Sequence, residues 1–167
     1  GGGWTETTGD GMTTNYELTG TIPSALGDCT GMYSLALSDN SLTGTIPESF
    51  SSLTSLYFLD LQENVLTGGV SPLSSCTSLD QLDLRDNQLS GTLEPLADLT
   101  SLTNLHVEGN FFTGEIPSEW CDDAPNQCHL HDGDDVAGET NLFECLDACS
   151  DGYQPCGWPN SLCPTPD

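Results

Sequence analysis

Apolar and polar residues alternate along this chain in a pattern that recurs every 23 or 24 residues. Four segments place leucine-like residues at positions one, four and six and asparagine at position nine: Met32/Leu35/Leu37/Asn40, Leu56/Leu59/Leu61/Asn64, Leu79/Leu82/Leu84/Asn87 and Leu102/Leu105/Val107/Asn110. The apolar-polar-apolar centre of each segment predicts a short strand whose alternate side chains point inward. One copy cannot bury its apolar face alone, so we expect the copies to stack into a solenoid.

A second motif follows each asparagine. Leu-Thr-Gly or a close variant begins at Leu18, Leu42, Leu66, Leu89 and Phe112, with steps of 24, 24, 23 and 23 residues. The glycine allows a tight bend, and the Ile-Pro that follows in several copies restarts an extended segment on the flank. The side-chain amide of the asparagine is expected to bond the backbone of its own turn and of the neighbouring copy.

These motifs resemble the plant-type leucine-rich repeats, whose consensus is LxxLxxLxLxxNxLTGxIPxxLGxL. The resemblance covers residues 18–120 and recurs in register at a dozen positions. It implies an arc-shaped leucine-rich-repeat solenoid of the α/β-type repeat class, with about 4–5 repeats of mostly short parallel strands and loops. Receptor-kinase ectodomains and polygalacturonase-inhibiting proteins belong to this family, which implies a protein that binds a partner and does not transform it.

The repeat pattern fails at both ends, which divides the chain into three parts. Residues 1–17 form an incomplete first repeat, residues 18–120 the leucine-rich repeats, and residues 121–167 a Cys-rich C-terminal cap with a short helix expected over about 142–149. Six cysteines fall in the cap and are expected to form three disulfides, with 15 connectivities open: Cys121, Cys128, Cys145, Cys149, Cys156 and Cys163. Cys29 and Cys76 take the place of leucine in other copies, which predicts buried free thiols.

The strongly acidic composition limits the classes of partner that the protein can bind. Arg85 is the one basic residue against 26 acidic residues, and the net charge is −25. Binding to nucleic acid needs Lys and Arg, so this class of partner is excluded, and adhesion to an anionic membrane is disfavoured. We find no apolar run long enough for membrane insertion. The disulfide framework indicates an oxidising compartment, so the predicted location is extracellular, either secreted or at the cell surface.

In-register stacking predicts which side chains share the concave face. Aromatic residues gather in its N-terminal half at Tyr33, Tyr57 and Phe58, and Asp60, Asp83, Arg85 and His106 lie on the neighbouring strands. These residues form the candidate ligand-binding surface, because exposed aromatic rings beside polar groups suit contact with a protein or glycan. Asp39, Glu63 and Asp86 are expected to form a like-charge column, and Arg85 is expected to pair with Glu108 and Asp86.

The sequence holds no catalytic signature. Neither a Gly-x-Ser-x-Gly motif nor a phosphate-binding loop occurs, so we expect no enzyme activity. No cofactor is expected either, with one alternative left open. Asp132, Asp134, Asp135 and Glu139 make a candidate Ca²⁺ site, although their spacing differs from that of known Ca²⁺ loops and a solvated acidic loop is the simpler interpretation.

Two hypotheses of function follow. The main one is an extracellular structural or adhesive protein, a subunit of a cell-surface or filamentous assembly, because the first repeat leaves an open apolar edge before Met32. Residues 1–17, residues outside this chain or another molecule would cover that edge, and the last case gives head-to-tail self-assembly. The alternative is a receptor- or inhibitor-like recognition module that binds a protein or glycan on the concave face. Flat rows of identical side chains across the strands would suit binding to ice or a mineral, but the rows on the concave face are mixed in residue type.

Overall fold

The computed structural model describes residues 4–7, 13–115, 117, 127–129 and 142–144, with side-chain surroundings for 17–115 and 117. Two short strands come first, β1 (Trp4–Thr7) and β2 (Thr13–Tyr16), which pair antiparallel with Trp4 opposite Tyr16. They lie within the segment predicted as an incomplete first repeat. From residue 19 onward the described strands join two parallel sheets.

The first parallel sheet, which we call the front sheet, consists of the strands predicted from the leucine pattern. Its members are β4 (Ser34–Ala36), β6 (Phe58–Asp60), β8 (Gln81–Asp83), β10 (Asn104–His106) and β12 (Gln127–His129), in spatial order β12-β10-β8-β6-β4. Adjacent strands pair in register, so Leu59 lies between Leu35 and Leu82. The prediction of a leucine-rich-repeat solenoid with parallel strands is confirmed.

A second parallel sheet, which we call the threonine sheet, forms where the Leu-Thr-Gly motif recurs. It contains β3 (Thr19–Thr21), β5 (Ser41–Thr45), β7 (Val65–Gly68), β9 (Gln88–Gly91), β11 (Phe111–Glu115) and β13 (Leu142–Glu144), each paired with the next. Four 3₁₀ helices connect this sheet back to the front sheet: Ser24–Asp28, Glu48–Ser52, Ser71–Leu73 and Glu94–Leu96. Proline precedes or opens each of them because it cannot continue a strand ladder but fits the first turn of a helix.

Side chains from the front sheet, the threonine sheet and the 3₁₀ helices fill one continuous core. Leu59 and Leu82 come from the front sheet, Leu66 and Phe112 from the threonine sheet, and Phe50 from a 3₁₀ helix, and all five are buried. Burying a side chain of this size stabilises the fold by about 1.5–3 kcal/mol relative to leaving it exposed. The core therefore runs along the stack without a gap between repeats, as the 23- or 24-residue spacing requires.

Cys76 and Cys29 both carry free thiols but differ in burial. Cys76 is buried as predicted, its Sγ donates to the carbonyl oxygen of Phe50 at 3.3 Å, and desolvation raises its pKa to about 11. The prediction of a buried thiol is wrong for Cys29, which is exposed. Cys29 ends the first 3₁₀ helix of the described chain, so it lacks the preceding turn that covers Cys76.

The C-terminal part of the described chain also departs from expectation. A helix was predicted over about 142–149, but Leu142–Glu144 is a strand that pairs in parallel with Thr113–Glu115. An available sheet edge offers backbone hydrogen bonds that override a local helical signal. Gln127–His129 extends the front sheet with the 23-residue step of the repeats, so repeat geometry continues past residue 120. The side chains of the six cap cysteines, and with them the predicted disulfides, lie outside the described residues.

Buried asparagine side chains connect each repeat to its neighbours. Asn87 accepts a hydrogen bond from the Leu66 amide at 3.0 Å and donates to the carbonyl oxygens of Leu61, Leu84 and Arg85 at 2.9, 3.2 and 3.0 Å. Asn64 and Asn110 make the same four bonds in their own repeats. The predicted role of the asparagine, which links its own turn to the neighbouring copy, is confirmed.

Replacing Asn87 with Ala should lower the free energy of unfolding by about 2–3 kcal/mol, because the buried Leu66 amide loses its acceptor. Asn40→Ala is the matched control. Asn40 is only partly buried, and among the residues whose side-chain surroundings are described its amide nitrogen bonds only carbonyls of its own turn, so its loss should cost less. Urea denaturation of both variants measures the difference; equal destabilisation would contradict the account.

Candidate functional site

The outward positions of the front sheet form straight rows across the strands. One row runs Ser34, Phe58, Gln81, Asn104 and the next runs Ala36, Asp60, Asp83, His106. Both rows match the register expected from the sequence. The structure therefore brings Phe58, Asp60, Asp83 and His106 onto one surface, at strand spacings of about 4.8 Å.

Two tyrosines stack at the edge where the chain enters this sheet. The rings of Tyr33 and Tyr57 are nearly parallel, at 4°, with centroids 4.9 Å apart. Tyr33 is 62 % exposed, whereas Tyr57 is half-buried. The Tyr57 amide donates to the Tyr33 carbonyl oxygen at 2.8 Å, which holds the two backbones together under the rings. We call this pair the tyrosine stack; the half-buried Phe58 lies in the adjacent row.

The Asp80 carboxylate lies beside the tyrosine stack. Its interaction with Tyr57 is the main reason that the pKa of Tyr57 is raised. Thr103 Oγ1 donates a hydrogen bond to Asp80 Oδ1 at 2.9 Å. Desolvation raises the pKa of Asp80, but its interactions with Tyr57, Thr103 and Gln81 lower it further, so the net pKa is below the usual value. Asp80 therefore places a negative charge next to the tyrosine stack.

Arg85 binds Asp83 most closely, which was not expected from the sequence, and of its two expected partners it pairs with Glu108 only. Its Nε donates to Asp83 Oδ1 at 2.9 Å and its second terminal nitrogen to Asp83 Oδ2 at 2.6 Å. That terminal nitrogen also donates to Gln62 Oε1 at 2.6 Å. Glu108 is a secondary partner at 3.9 Å, and no ion pair joins Arg85 to Asp86 within the described chain. Residues two apart on a strand share a face, so the Asp83 carboxylate lies closer to Arg85 than the other carboxylates do.

His106 and Glu108 complete this polar cluster. His106 Nδ1 lies 3.4 Å from Glu108 Oε1. The second carboxylate oxygen, Oε2, is buried and has no hydrogen-bond partner among the described residues. Asp60 accepts from the amide of Gln62 at 3.2 Å, so its carboxylate caps the turn that follows its strand. These contacts place several charged side chains close together on the front sheet.

The predicted like-charge column is confirmed next to this cluster. Asp39, Glu63 and Asp86, which we call the acidic column, all adopt left-handed backbone conformations, with φ of 55°, 52° and 51°. Repulsion from Asp39 is the main reason that the pKa of Glu63 is raised. The fourth position is Gly109, where an added Cβ would collide with Asp86. The column is thus a repeated structural position that keeps its carboxylates close together and exposed.

The threonine sheet presents a surface that sequence reasoning missed. Its exposed hydroxyl residues are Thr19, Thr21, Thr43, Thr45, Thr67, Ser90, Thr92 and Thr113. Register places Thr21 beside Thr43 and Thr45 beside Thr67. Strands β3, β5, β7 and β9 contain no charged residue. The recurring Thr-Gly-Thr was visible in the sequence, but its glycine was interpreted only as a bend.

A glycine lets these threonines pack closely between strands. Gly68 has a φ of +81°, and a Cβ there would lie 2.9 Å from the Thr45 methyl carbon. The Thr67 hydroxyl donates to the Gly44 carbonyl oxygen at 3.2 Å, which anchors one more side chain against the sheet. Across β3, β5, β7 and β9 the surface therefore carries no charged side chain, in contrast to the front sheet, while β11 ends at the exposed Glu115.

Two further predictions have limited structural content. The candidate Ca²⁺ ligands Asp132, Asp134, Asp135 and Glu139 lie outside the described residues. Within the part of the chain that the structure describes, no group of three or more His, Cys, Asp or Glu side chains is placed to hold a metal ion. Nor does any helix there have the length and apolar character needed to cross a membrane.

Comparisons with known proteins agree with this architecture. The Leucine Rich Repeat family model matches residues 32–53 and 101–122. Among curated proteins, no sequence matches the chain. Many solved structures do, and one of them is the BIR2 ectodomain from Arabidopsis thaliana, which is 30 % identical with a TM-score of 0.58, over 77 % of this chain and 74 % of that one.

Two other similar structures differ in function. The plant peptide hormone receptor RGFR1, solved in complex with RGF2, is 32 % identical with a TM-score of 0.65, over 76 % of this chain. This chain spans only 20 % of that receptor chain. A plant ice-binding protein is 28 % identical with a TM-score of 0.64, over 83 % of this chain and 46 % of that one.

The acidic column predicts a pH dependence of stability. Because the pKa of Glu63 is raised in the folded state, its favourable contribution is present below the ordinary Glu pKa and is lost as pH rises through the raised value. Glu63→Gln should therefore unfold at higher urea than the native chain at about pH 7, with the advantage gone at about pH 3.

High salt should shrink the same advantage, because screening weakens repulsion between exposed charges. Glu48→Gln, at an exposed position on a 3₁₀ helix, is the control and should leave the urea midpoint unchanged. A midpoint for Glu63→Gln that equals the native midpoint at neutral pH and low salt would refute the repulsion.

Proposed function

The chain belongs to the plant-type leucine-rich-repeat family, and we propose that it acts there as an extracellular recognition module that binds a peptide or protein on its front sheet. The observation that carries this proposal is the tyrosine stack beside the charged cluster of Asp83, Arg85 and Glu108, on one sheet face. An exposed aromatic ring contributes contact area at low entropic cost, and neighbouring charges give orientation and specificity.

The comparisons support recognition better than a filament role. Similar structures include the BIR2 ectodomain and a plant peptide hormone receptor in complex with RGF2. Leucine-rich-repeat ectodomains are typically binding modules without catalysis, which agrees with our proposal that this chain is not an enzyme. Head-to-tail assembly and glycan binding remain predictions from the sequence alone.

The front sheet is also rigid enough to serve as a binding surface. Its strands are joined by in-register backbone bonds, such as Leu61 N to Asp83 O at 2.8 Å and Leu84 N to His106 O at 2.8 Å. The rings of Tyr33 and Tyr57 restrain each other by stacking, and Arg85 is restrained by hydrogen bonds to Asp83 and Gln62. A surface whose side chains are already ordered loses less entropy on binding.

Selection of random peptides displayed against the full chain tests the proposal. Peptides selected with the native chain should bind the double variant Tyr33→Ala/Tyr57→Ala at least about 10-fold more weakly, since loss of stacked aromatic contacts typically costs more than 1 kcal/mol. Phe111→Ala is the matched control, because Phe111 is an exposed aromatic residue on the threonine sheet. Unchanged binding to the double variant, with circular dichroism showing that it is folded, would exclude the front sheet as the binding site.

A second candidate function rests on the threonine sheet. Its flat, uncharged array of hydroxyl and methyl groups suits binding to an ordered water surface, because strands repeat every 4.8 Å or so and alternate residues every 7 Å or so. The plant ice-binding protein that resembles this chain supports the same candidate. The mixed residue types of the concave face argue against ice binding on the front sheet. The uniform threonines, however, lie on the threonine sheet.

Ice-growth inhibition measures this candidate directly. Thr43→Lys and Thr67→Lys place a long charged side chain on the flat sheet and should abolish inhibition of ice recrystallisation. Ser75→Lys, at an exposed position on a connecting turn, should leave it intact. If the native chain does not inhibit ice growth, or if Ser75→Lys is as damaging as the sheet variants, the threonine sheet is not an ice-binding surface.

A further inference from the structure

We propose that the partner of the front sheet is a basic, extended peptide segment, with one Lys or Arg side chain on the Tyr33 ring and others beside the acidic column. This inference rests on the proposed recognition function and adds the chemistry of the ligand. Two separate features of the front sheet support it: an exposed ring and an unbalanced charge.

The first feature is the exposed ring. One face of Tyr33 stacks on Tyr57, and the residue is nevertheless 62 % exposed. The face of an aromatic ring carries a negative quadrupole, which attracts ammonium and guanidinium groups within about 6 Å of the centroid. The Asp80 carboxylate, which accepts a hydrogen bond from Thr103 Oγ1 and whose pKa is lowered, adds negative potential next to the stack.

The second feature is the unbalanced charge. The front sheet and the turns that leave it carry seven carboxylates: Asp39, Asp60, Glu63, Asp80, Asp83, Asp86 and Glu108. Arg85 is the only cation there, and Asp83 already binds it through two hydrogen-bonding nitrogens. Such a face repels acidic partners and attracts basic ones over the distance of a Debye length. Strands β3, β5, β7 and β9 of the threonine sheet carry no charged residue, so this charge is not spread evenly over the described residues.

The distances set the length of the segment. Asp39 is the sixth residue after Tyr33 in the same repeat. At 3.3 Å per residue, the tyrosine stack and the acidic column are therefore at most about 20 Å apart. An extended peptide of about seven residues can reach both. Side chains on one face of such a peptide recur every 7 Å or so, which allows two or more basic residues to meet carboxylates.

Binding of fluorescein-labelled octa-arginine to the full chain, followed by anisotropy, tests the inference. The triple variant Asp39→Asn/Glu63→Gln/Asp86→Asn and the single variant Tyr33→Leu should each weaken binding at least about 5-fold. The control Asp28→Asn/Glu48→Gln/Glu94→Gln removes the same number of exposed charges from the 3₁₀ helices and should change binding less than about 2-fold.

Two outcomes would overturn the inference: no binding of octa-arginine at moderate salt, or equal weakening by the two triple variants, which would mean that only net charge attracts the peptide. The selection of displayed peptides distinguishes failure of the basic-ligand inference from failure of the proposed recognition function. Selected peptides that depend on Tyr33 and Tyr57 but lack Lys and Arg would overturn the basic ligand and leave recognition intact. Absence of any peptide that depends on the tyrosine stack would overturn recognition itself.

Discussion

The whole architecture depends on one buried side-chain amide per repeat. In each described repeat from Asn64 to Asn110, the asparagine accepts a bond from the first buried amide of the threonine sheet and donates to carbonyl groups where a front strand ends. Because those donated bonds also reach the preceding repeat, one residue joins two sheets and two copies. The residue before it adopts the left-handed conformation that places the acidic column. The proposed binding surface thus depends on how the repeats are connected.

Most of the front sheet could be predicted from the sequence because its cause is periodic. A strict 23- or 24-residue spacing, with alternation inside each strand, leaves one register that buries Leu59, Leu82 and Leu105 together. That register places the tyrosine stack, the outward rows and the acidic column without further information. The Arg85–Asp83 pair could have been predicted too, from the rule that residues two apart share a strand face.

The structure differs from the sequence predictions where the repeat loses its periodicity, or where one motif fits both a turn and a strand. Cys29 has the sequence of a buried position but lacks the neighbour that would bury it, so its environment depends on the end of the stack. Strand β13 forms because an adjacent edge is open, which no local pattern encodes. The threonine sheet was overlooked because Thr-Gly-Thr fits a turn equally well. Only the structure shows that successive copies pair there and expose their hydroxyl groups on one flat surface.

The two sheets present opposite chemistry, and this contrast makes the central claim testable in one experiment. Chemical shifts of the Tyr33 and Tyr57 ring protons and of the Thr43 and Thr67 methyl groups can be followed together during titration with a peptide selected against the full chain. The account predicts that the tyrosine ring signals move in a saturable way while the threonine methyl signals stay in place. Movement of the threonine signals alone, at peptide concentrations that saturate binding, would contradict it.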